Sequence, residues 1–100
     1  DPLWSRGLGD VYKRQPMRII WDQSAWNEYL WWQSHDRKVL NRVNQLIKDV
    51  SRNGNDGIGK PEALRYSLSG YWSRRINDEH RLVYKISGND IWIASCRYHY

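Results

Sequence analysis

The first half of the chain has apolar residues at the spacing of an amphipathic helix, recurring at steps of three and four over residues 23–34. This pattern predicts a helix whose Trp26 and Leu30 face the core. Asp22 precedes it in the position of an N-cap, a role that aspartate commonly takes. The short apolar run at residues 17–21 favours a strand before the helix.

A second, longer helix is predicted between Asp36, an expected N-cap, and Gly54, an expected stop. One apolar face runs along it, made of Val39, Leu40, Val43, Leu46, Ile47 and Val50. The outer face carries a basic stripe, relieved mainly by Asp49 and made of Arg37, Lys38, Arg42, Lys48 and Arg52. Such a stripe suits a phosphate backbone, and it equally suits an ordinary solvated helix face.

Alternating patterns predict strands in the second half of the chain, at residues 71–77, 80–87 and 90–98. The polar turns between them indicate an antiparallel meander. Residues 53–59 have the composition of a loop, and Glu62 stands where that loop becomes strand. We therefore expect an α+β fold with a first strand and a helical hairpin packed on one face of a twisted, mainly antiparallel sheet. The other face is left for function.

The length of 100 residues suits one domain, and its 40% hydrophobic content allows a packed core. Residues 1–16 follow neither period, and we interpret them as a non-native or disordered leader, with a genuine basic arm as the alternative. The domain then spans residues 17–100. Its net charge of +4, against +5 for the whole chain, favours a polyanionic partner but is also ordinary for a small soluble domain.

Cysteine content and hydropathy indicate a reducing setting, because Cys96 is the single cysteine and no stretch approaches the length of a membrane span. No paired Cys or His spacing suggests zinc. The beginning of the chain lacks the apolar run of a signal peptide. We therefore expect a cytoplasmic protein that uses no metal.

RNA cleavage without a metal needs a base for the 2′-hydroxyl, an acid for the leaving 5′-oxygen and a cation for the phosphate. Glu62, His99 and Arg81 are candidates for these three roles in that order. Each has a plain alternative, because Glu62 and Arg81 also suit an exposed ion pair and His99 also suits a frayed end. We expect His35 and His80 to be capping or surface residues.

Strand geometry sorts the remaining candidates by face, since successive side chains of a strand point to opposite sides. Arg74 and Arg75 should lie on different faces, so that only one of them meets substrate. In the 97–100 segment the same alternation places Arg97 and His99 on one side and the two tyrosines on the other.

Four stretches of the chain closely resemble the YoeB family of RelE-like toxins. They are GKPE at residues 59–62, LSGYWSRRI at 68–76, EHRLVY at 79–84 and CRYHY at 96–100. The similarity extends over residues 17–100, so it covers the whole predicted domain.

The resemblance implies a toxin of a type II toxin-antitoxin pair that enters the A site of the 70S ribosome and cleaves the bound mRNA. The product is a 2′,3′-cyclic phosphate, and no metal or cofactor is required. By position, Glu62 matches the general base, Arg81 the phosphate-stabilising arginine and His99 the general acid. Tyr100 matches a tyrosine that supports that end of the site.

The resemblance also implies an RNA-binding surface. Basic residues are expected near the scissile phosphate, at Lys60, Arg65 and Arg75. The second helix, with Arg37, Lys38 and Arg42, would meet ribosomal RNA.

Four positions depart from the pattern of the family. Ala63, Arg65 and Tyr66 stand where we expect Pro, Lys and His, and Ile58 stands in place of a lysine. Arg65 keeps the charge. Tyr66 removes an imidazole beside the site, which leaves a role for a second histidine in doubt and the assigned acid and base intact.

The expected partner is a YefM-like antitoxin whose acidic segment covers the basic face. The oligomeric state stays open, a homodimer included. Two other hypotheses compete with the enzyme: a non-catalytic RNA or ribosome binder that uses the basic helix, and a RelE-like fold that only represses its operon with a DNA-binding partner.

Overall fold

One strand, a pair of consecutive helices and four further strands follow one another along the chain in a computed structural model that describes residues 17–98. The expectation for residues 1–16 lies outside the described residues. In chain order the elements are β1 (Arg18–Trp21), α1 (Gln23–His35), α2 (Arg37–Asn53), β2 (Glu62–Ala63), a 3-10 turn (Tyr66–Leu68), β3 (Trp72–Arg75), β4 (Arg81–Ser87) and β5 (Asp90–Ser95).

The five strands form one sheet in the order β1-β5-β4-β3-β2. β1 runs parallel to β5, and the other neighbouring pairs are antiparallel, which confirms the predicted mainly antiparallel sheet. The prediction that the last strand continues to residue 98 is wrong, because β5 ends at Ser95. Tyr98 adopts φ +63°, a left-handed conformation that breaks the alternation of a strand.

The prediction for α2 is confirmed at both ends and along its buried face. The Asp36 side chain accepts hydrogen bonds from the backbone N–H groups of Lys38 and Val39, as an N-cap does. The helix stops at Gly54, whose φ of +63° suits glycine. All six predicted apolar residues are buried: Val39, Leu40, Val43, Leu46, Ile47 and Val50.

The predicted inner face of α1 is wrong. Trp26 and Leu30 are 39% and 41% exposed, whereas Ala25 and Trp32 are buried. Large apolar residues occupy most of the circumference of this helix, so their spacing does not select one face. Tertiary packing selects the buried face instead, because Trp32 Nε1 donates to the Cys96 carbonyl oxygen across the core at 2.8 Å.

The helical hairpin covers one face of the sheet, as predicted. Its apolar residues join buried strand residues in one core cluster that includes Leu82, Tyr84, Ile91 and Ile93. No helix within residues 17–98 is both long and apolar enough to cross a membrane.

Candidate active site on the second face of the sheet

The face of the sheet opposite the helices, here called the site face, carries three of the predicted residues. Glu62 pairs with Ser73 across β2 and β3, and Arg75 pairs with Arg81 across β3 and β4. Directly paired residues project to the same face, and so do residues two apart on a strand. Glu62, Arg75 and Arg81 therefore share the site face.

The spacing of Glu62 and Arg81 leaves room for a ligand between them. They are two strands apart and offset by two residues, so their Cα atoms lie roughly 12 Å from each other. Among the described residues, the ion pairs between charged side chains are Arg18 with Asp90 and Arg74 with Asp49, so the alternative of a Glu62–Arg81 pair is not observed. Both side chains can approach one phosphate group from different sides.

Arg81 is anchored by the turn that precedes β4. Its Nη1 donates to the backbone carbonyl oxygens of Asn77 at 2.6 Å and His80 at 3.0 Å. Within residues 17–98, no acceptor is placed against Nε or Nη2. Within the described part of the chain the guanidinium group is thus held at one nitrogen, and its remaining donors have the fork geometry that matches phosphate oxygens.

Arg74, the neighbour of Arg75, lies fully buried on the opposite side of β3. The predicted division of the two arginines between the faces is confirmed. The guanidinium group of Arg74 organises the loop before Glu62, since its donors reach the Asp49 carboxylate, the Tyr84 hydroxyl and the carbonyl oxygens of Gly54, Asp56 and Ile58.

The Asp49 side chain does not lie along the basic stripe of α2 as the sequence suggested. It was expected to relieve the stripe, but its carboxylate turns towards Arg74 and also accepts from the Ile58 N–H. The hydrogen bond from Arg74 holds the pKa of Asp49 below its ordinary value, against the opposing effect of burial. Burial raises the pKa of Tyr84, and the hydrogen bond from Arg74 opposes that rise.

Gly59 brings the loop against the sheet just before Glu62. Its carbonyl oxygen accepts from the Arg75 N–H at 2.6 Å, and its φ is +83°. A Cβ here would lie 2.8 Å from Leu46 Cδ2, so a side chain cannot be accommodated without movement. The hydrogen bond from Arg75 to Gly59 thus holds the loop beside β3 three residues before β2 begins at Glu62.

Two further predicted cations flank β2. Lys60 is exposed just before Pro61 and Glu62, at φ +51°. Arg65 is exposed just after the strand, where its carbonyl oxygen accepts from Leu68 N–H in the 3-10 turn. Lys60 and Arg65 lie within three residues of Glu62 along the chain, and with Arg75 and Arg81 they add positive charge to this region, which favours an anionic ligand.

The 97–100 segment is described as far as Tyr98. The backbone of Tyr98 lies beside Arg81, whose N–H donates to the Tyr98 carbonyl oxygen at 2.8 Å. Arg97 instead places its guanidinium carbon 3.6 Å from the centre of the Trp31 ring on α1. The predictions for His99 and Tyr100 lie outside the described residues.

The cations of the second helix are not part of this site. Arg37 and Lys38 are exposed and Arg42 is partly exposed, all on the helical layer that covers the other face of the sheet. The structure therefore separates the six predicted RNA-binding residues into two surfaces. Lys60, Arg65 and Arg75 belong to the surface around Glu62.

The expectation that His80 is a capping or surface residue is wrong. Only 7% of it is exposed, and it contacts Trp32 and Tyr98. His80 stands two residues before the buried Leu82, which places it on the core side of β4. This alternation is the feature of the sequence that could have predicted its burial. His35 was correctly expected at the surface, where it stacks on Trp31 with ring centres 3.9 Å apart.

A groove of about 630 Å³ lies far from the candidate site. Its lining includes Ile19 and Trp21 on β1 and Ile47 on α2. Because β1 and β2 are opposite edges of the sheet, this groove and Glu62 are on different sides of the molecule. Among residues 17–98, no three His, Cys, Asp or Glu side chains are grouped to hold a metal ion.

The fold and this site define a small α+β protein with a carboxylate set among cations on one sheet face. A sequence profile for the YoeB-like toxin of bacterial type II toxin-antitoxin systems matches residues 21–100. Toxin YoeB of Synechocystis is 57% identical over 84 residues, which cover 84% of this chain and 98% of that protein. The chain belongs to the YoeB-like toxins.

Two solved structures have the same fold at high sequence identity. The YoeB dimer of Staphylococcus aureus is 49% identical with a TM-score of 0.80, over 84% of this chain and 98% of that one. The YoeB-YefM complex of Staphylococcus aureus is 48% identical with a TM-score of 0.79, over the same shares.

Proposed function

We propose that this toxin is a ribosome-dependent endoribonuclease that cleaves mRNA in the ribosomal A site and thereby stops translation and growth. One observation carries the proposal: Glu62, Arg75 and Arg81 share the site face, and Tyr98, which is bonded to His99, is hydrogen-bonded to Arg81. These positions support a reaction in which Glu62 acts as the base, Arg81 as the cation and His99 as the acid on one phosphate group.

In the proposed reaction Glu62 removes the proton from the 2′-hydroxyl, whose oxygen attacks the adjacent phosphorus. The bond from phosphorus to the 5′-oxygen breaks, and His99 gives its proton to that oxygen. The products are a 2′,3′-cyclic phosphate and a 5′-hydroxyl. Arg81 stabilises the charge on the phosphorane, since its fork of donors matches the equatorial oxygens.

The remaining residues bind and orient RNA. Tyr100 supports the side of the site that holds His99. Lys60, Arg65 and Arg75 hold the backbone around the scissile phosphate, where their charge gives salt-dependent affinity. The ribosome supplies the orientation of the mRNA, an entropic contribution that an open site on a sheet face lacks.

Expression of matched variants in cells tests the catalytic roles. Glu62→Gln, Arg81→Ala and His99→Gln should each abolish growth arrest and mRNA truncation. Asp22→Asn is the control for the carboxylate change, since Asp22 is exposed and its side chain makes no capping hydrogen bond. Growth arrest with intact truncation in all three variants contradicts the assignment.

The same variants distinguish the two competing hypotheses. A non-catalytic binder stays inhibitory when Glu62 and His99 are replaced and weakens when Arg37, Lys38 and Arg42 are replaced. A toxin fold that only represses its operon arrests growth in none of these proteins, the parent included.

We further propose a YefM-like antitoxin as the partner, supported by the complex of the Staphylococcus aureus relative. An acidic segment of that partner would cover the cations around Glu62 and exclude RNA. Binding should weaken as salt rises, because the attraction between exposed charges is screened. The dimer of the same relative supports a homodimer, which light scattering of the purified toxin would detect.

A further inference from the structure

His80 is buried although it belongs to a polar turn. Its neighbours Asp78, Glu79 and Arg81 are charged, yet only 7% of His80 is exposed. Its ring packs edge-on against Trp32 with centres 4.7 Å apart. A turn residue with no catalytic assignment thus has a fixed place in the core.

The polar contact of His80 is with the backbone of Tyr98. The Tyr98 N–H donates to His80 Nδ1 at 2.6 Å. The next residue, Arg81, donates its own N–H to the Tyr98 carbonyl oxygen at 2.8 Å. Two consecutive residues therefore bind both polar backbone groups of Tyr98.

The chemistry of this contact fixes the state of the imidazole. A backbone N–H can only donate, so Nδ1 must accept and must carry no proton. The ring proton is then on Nε2, which lies 3.6 Å from a carboxylate oxygen of Glu79. An apolar side chain at position 80 would fill the space and leave the Tyr98 N–H without this partner.

Tyr98 needs such a contact because its backbone conformation is uncommon. Its φ of +63° is rare for a residue with a side chain and persists where surrounding contacts hold it. Tyr98 is also half exposed, so burial in the core does not hold it.

We propose that His80 is a positioning residue for RNA cleavage: it holds the backbone of Tyr98 against Arg81, and with it the point from which the chain continues to His99. The inference rests on the proposed function, in which His99 is the general acid. His80 itself touches no reacting atom and acts through the backbone of Tyr98.

Two amide substitutions test the role of Nδ1. In His80→Asn the Oδ1 atom takes the place of Nδ1 and still accepts, whereas in His80→Gln the oxygen lies one bond further along, near the place of Nε2. Both side chains are polar and neutral. His80→Leu removes the acceptor altogether, and His35→Asn is the control for an exposed histidine.

Single-turnover cleavage on ribosomes carrying a defined mRNA gives the saturating rate and the toxin concentration at half-saturation. Displacing a catalytic group by about 1 Å lowers a rate by about a hundredfold. In His80→Gln and His80→Leu we expect the saturating rate to fall by an amount that approaches this factor. The half-saturating concentration should stay unchanged. His80→Asn should recover most of the rate.

Hydrogen exchange at the Tyr98 amide provides a readout that needs no ribosome. The amide should be protected in the parent and in His80→Asn, and exchange faster in His80→Gln, at a temperature where all are folded. A purely structural role would lower stability without this pattern.

The outcomes separate the inference from the proposed function. Equal rates and equal Tyr98 protection in all three His80 variants overturn the inference, while an inactive His99→Gln in the same assay leaves the function standing. A loss in His80→Asn as large as in His80→Gln also overturns it. A fully active His99→Gln overturns both.

Discussion

Arg74 and His80 contact the segments on either side of the candidate site, although neither of them was assigned this structural role from the sequence. Strand alternation predicted that Arg74 and Arg75 lie on different faces without saying which is inside, and the same rule applied to His80 would have placed it on the side of Leu82. Their partners come from distant parts of the chain, namely the 54–58 loop and Tyr98. Such contacts follow from tertiary packing, so sequence spacing alone does not supply them.

The Arg74–Asp49 pair should make the stability of the fold depend on acid pH. The pKa of Asp49 is lower in the folded protein than its ordinary value of 3.8, so its stabilising contribution is complete above that value. It is lost as the pH falls through the lower, folded-state pKa. Urea unfolding from pH 6 to pH 2 should therefore show a steeper loss in the parent than in Asp49→Asn. An equal loss of unfolding free energy with falling pH in the two proteins would contradict this prediction.

Removing Arg74 should be more damaging than removing its neighbour. Arg74→Ala removes the cationic donor of the Asp49 carboxylate and the side-chain donor of three carbonyl oxygens, and breaking a buried ion pair in this way costs about 3–5 kcal/mol. Arg75→Ala, an exposed change, should leave stability nearly intact and reduce cleavage. Equal unfolding free energies for the two variants would contradict the assigned positions.

The Cys96 thiol should be unreactive in the folded protein. Burial, with a smaller contribution from the Glu28 carboxylate, raises its pKa to about 12, so almost no thiolate forms near neutral pH. Iodoacetamide at pH 8 should label Cys96 slowly in buffer and rapidly in guanidinium chloride. Equally rapid labelling in both is the contrary result.

At the scale of elements, prediction succeeded where one face of a helix is clearly apolar. α2 has six apolar residues on one side and charged residues on the other, so both its face and its ends were predicted. In α1, Trp and Tyr residues surround the axis, and the core selected Ala25 and Trp32 instead of Trp26 and Leu30. β5 also ended early, because the left-handed φ of Tyr98 is not encoded by strand periodicity.

The two helix N-termini offer a matched test of capping. Asp36 accepts two backbone hydrogen bonds at the start of α2, whereas Asp22 accepts none from its side chain at the start of α1. Asp36→Ala should therefore cost about 1 kcal/mol, and Asp22→Ala clearly less. Thermal unfolding of both variants measures the difference, and an equal loss would contradict the assignment of the caps.

At the scale of the whole molecule, charge is divided between two surfaces. The cations around Glu62 lie on one face of the sheet, and Arg37, Lys38 and Arg42 lie on the helical layer that covers the other face. A partner that contacts both surfaces must surround the domain, which suits the proposed A site better than free mRNA.

Charge reversal on the second helix should therefore weaken association and leave the chemistry intact. Replacing Arg37, Lys38 and Arg42 with Glu is expected to raise the half-saturating toxin concentration on ribosomes and to reduce its salt dependence. The saturating cleavage rate should stay close to that of the parent. A slower saturating rate at unchanged affinity would place these residues in the reaction instead.

Mapping the cut on a defined mRNA, with and without purified ribosomes, tests the central claim most directly. Primer extension should detect a new 5′ end within the A-site codon when ribosomes are present, in the parent and in Asp22→Asn and not in Glu62→Gln. Free mRNA should stay intact. Equal cutting of free mRNA, or an unchanged cut by Glu62→Gln, would contradict the proposed ribosome-dependent acid-base reaction.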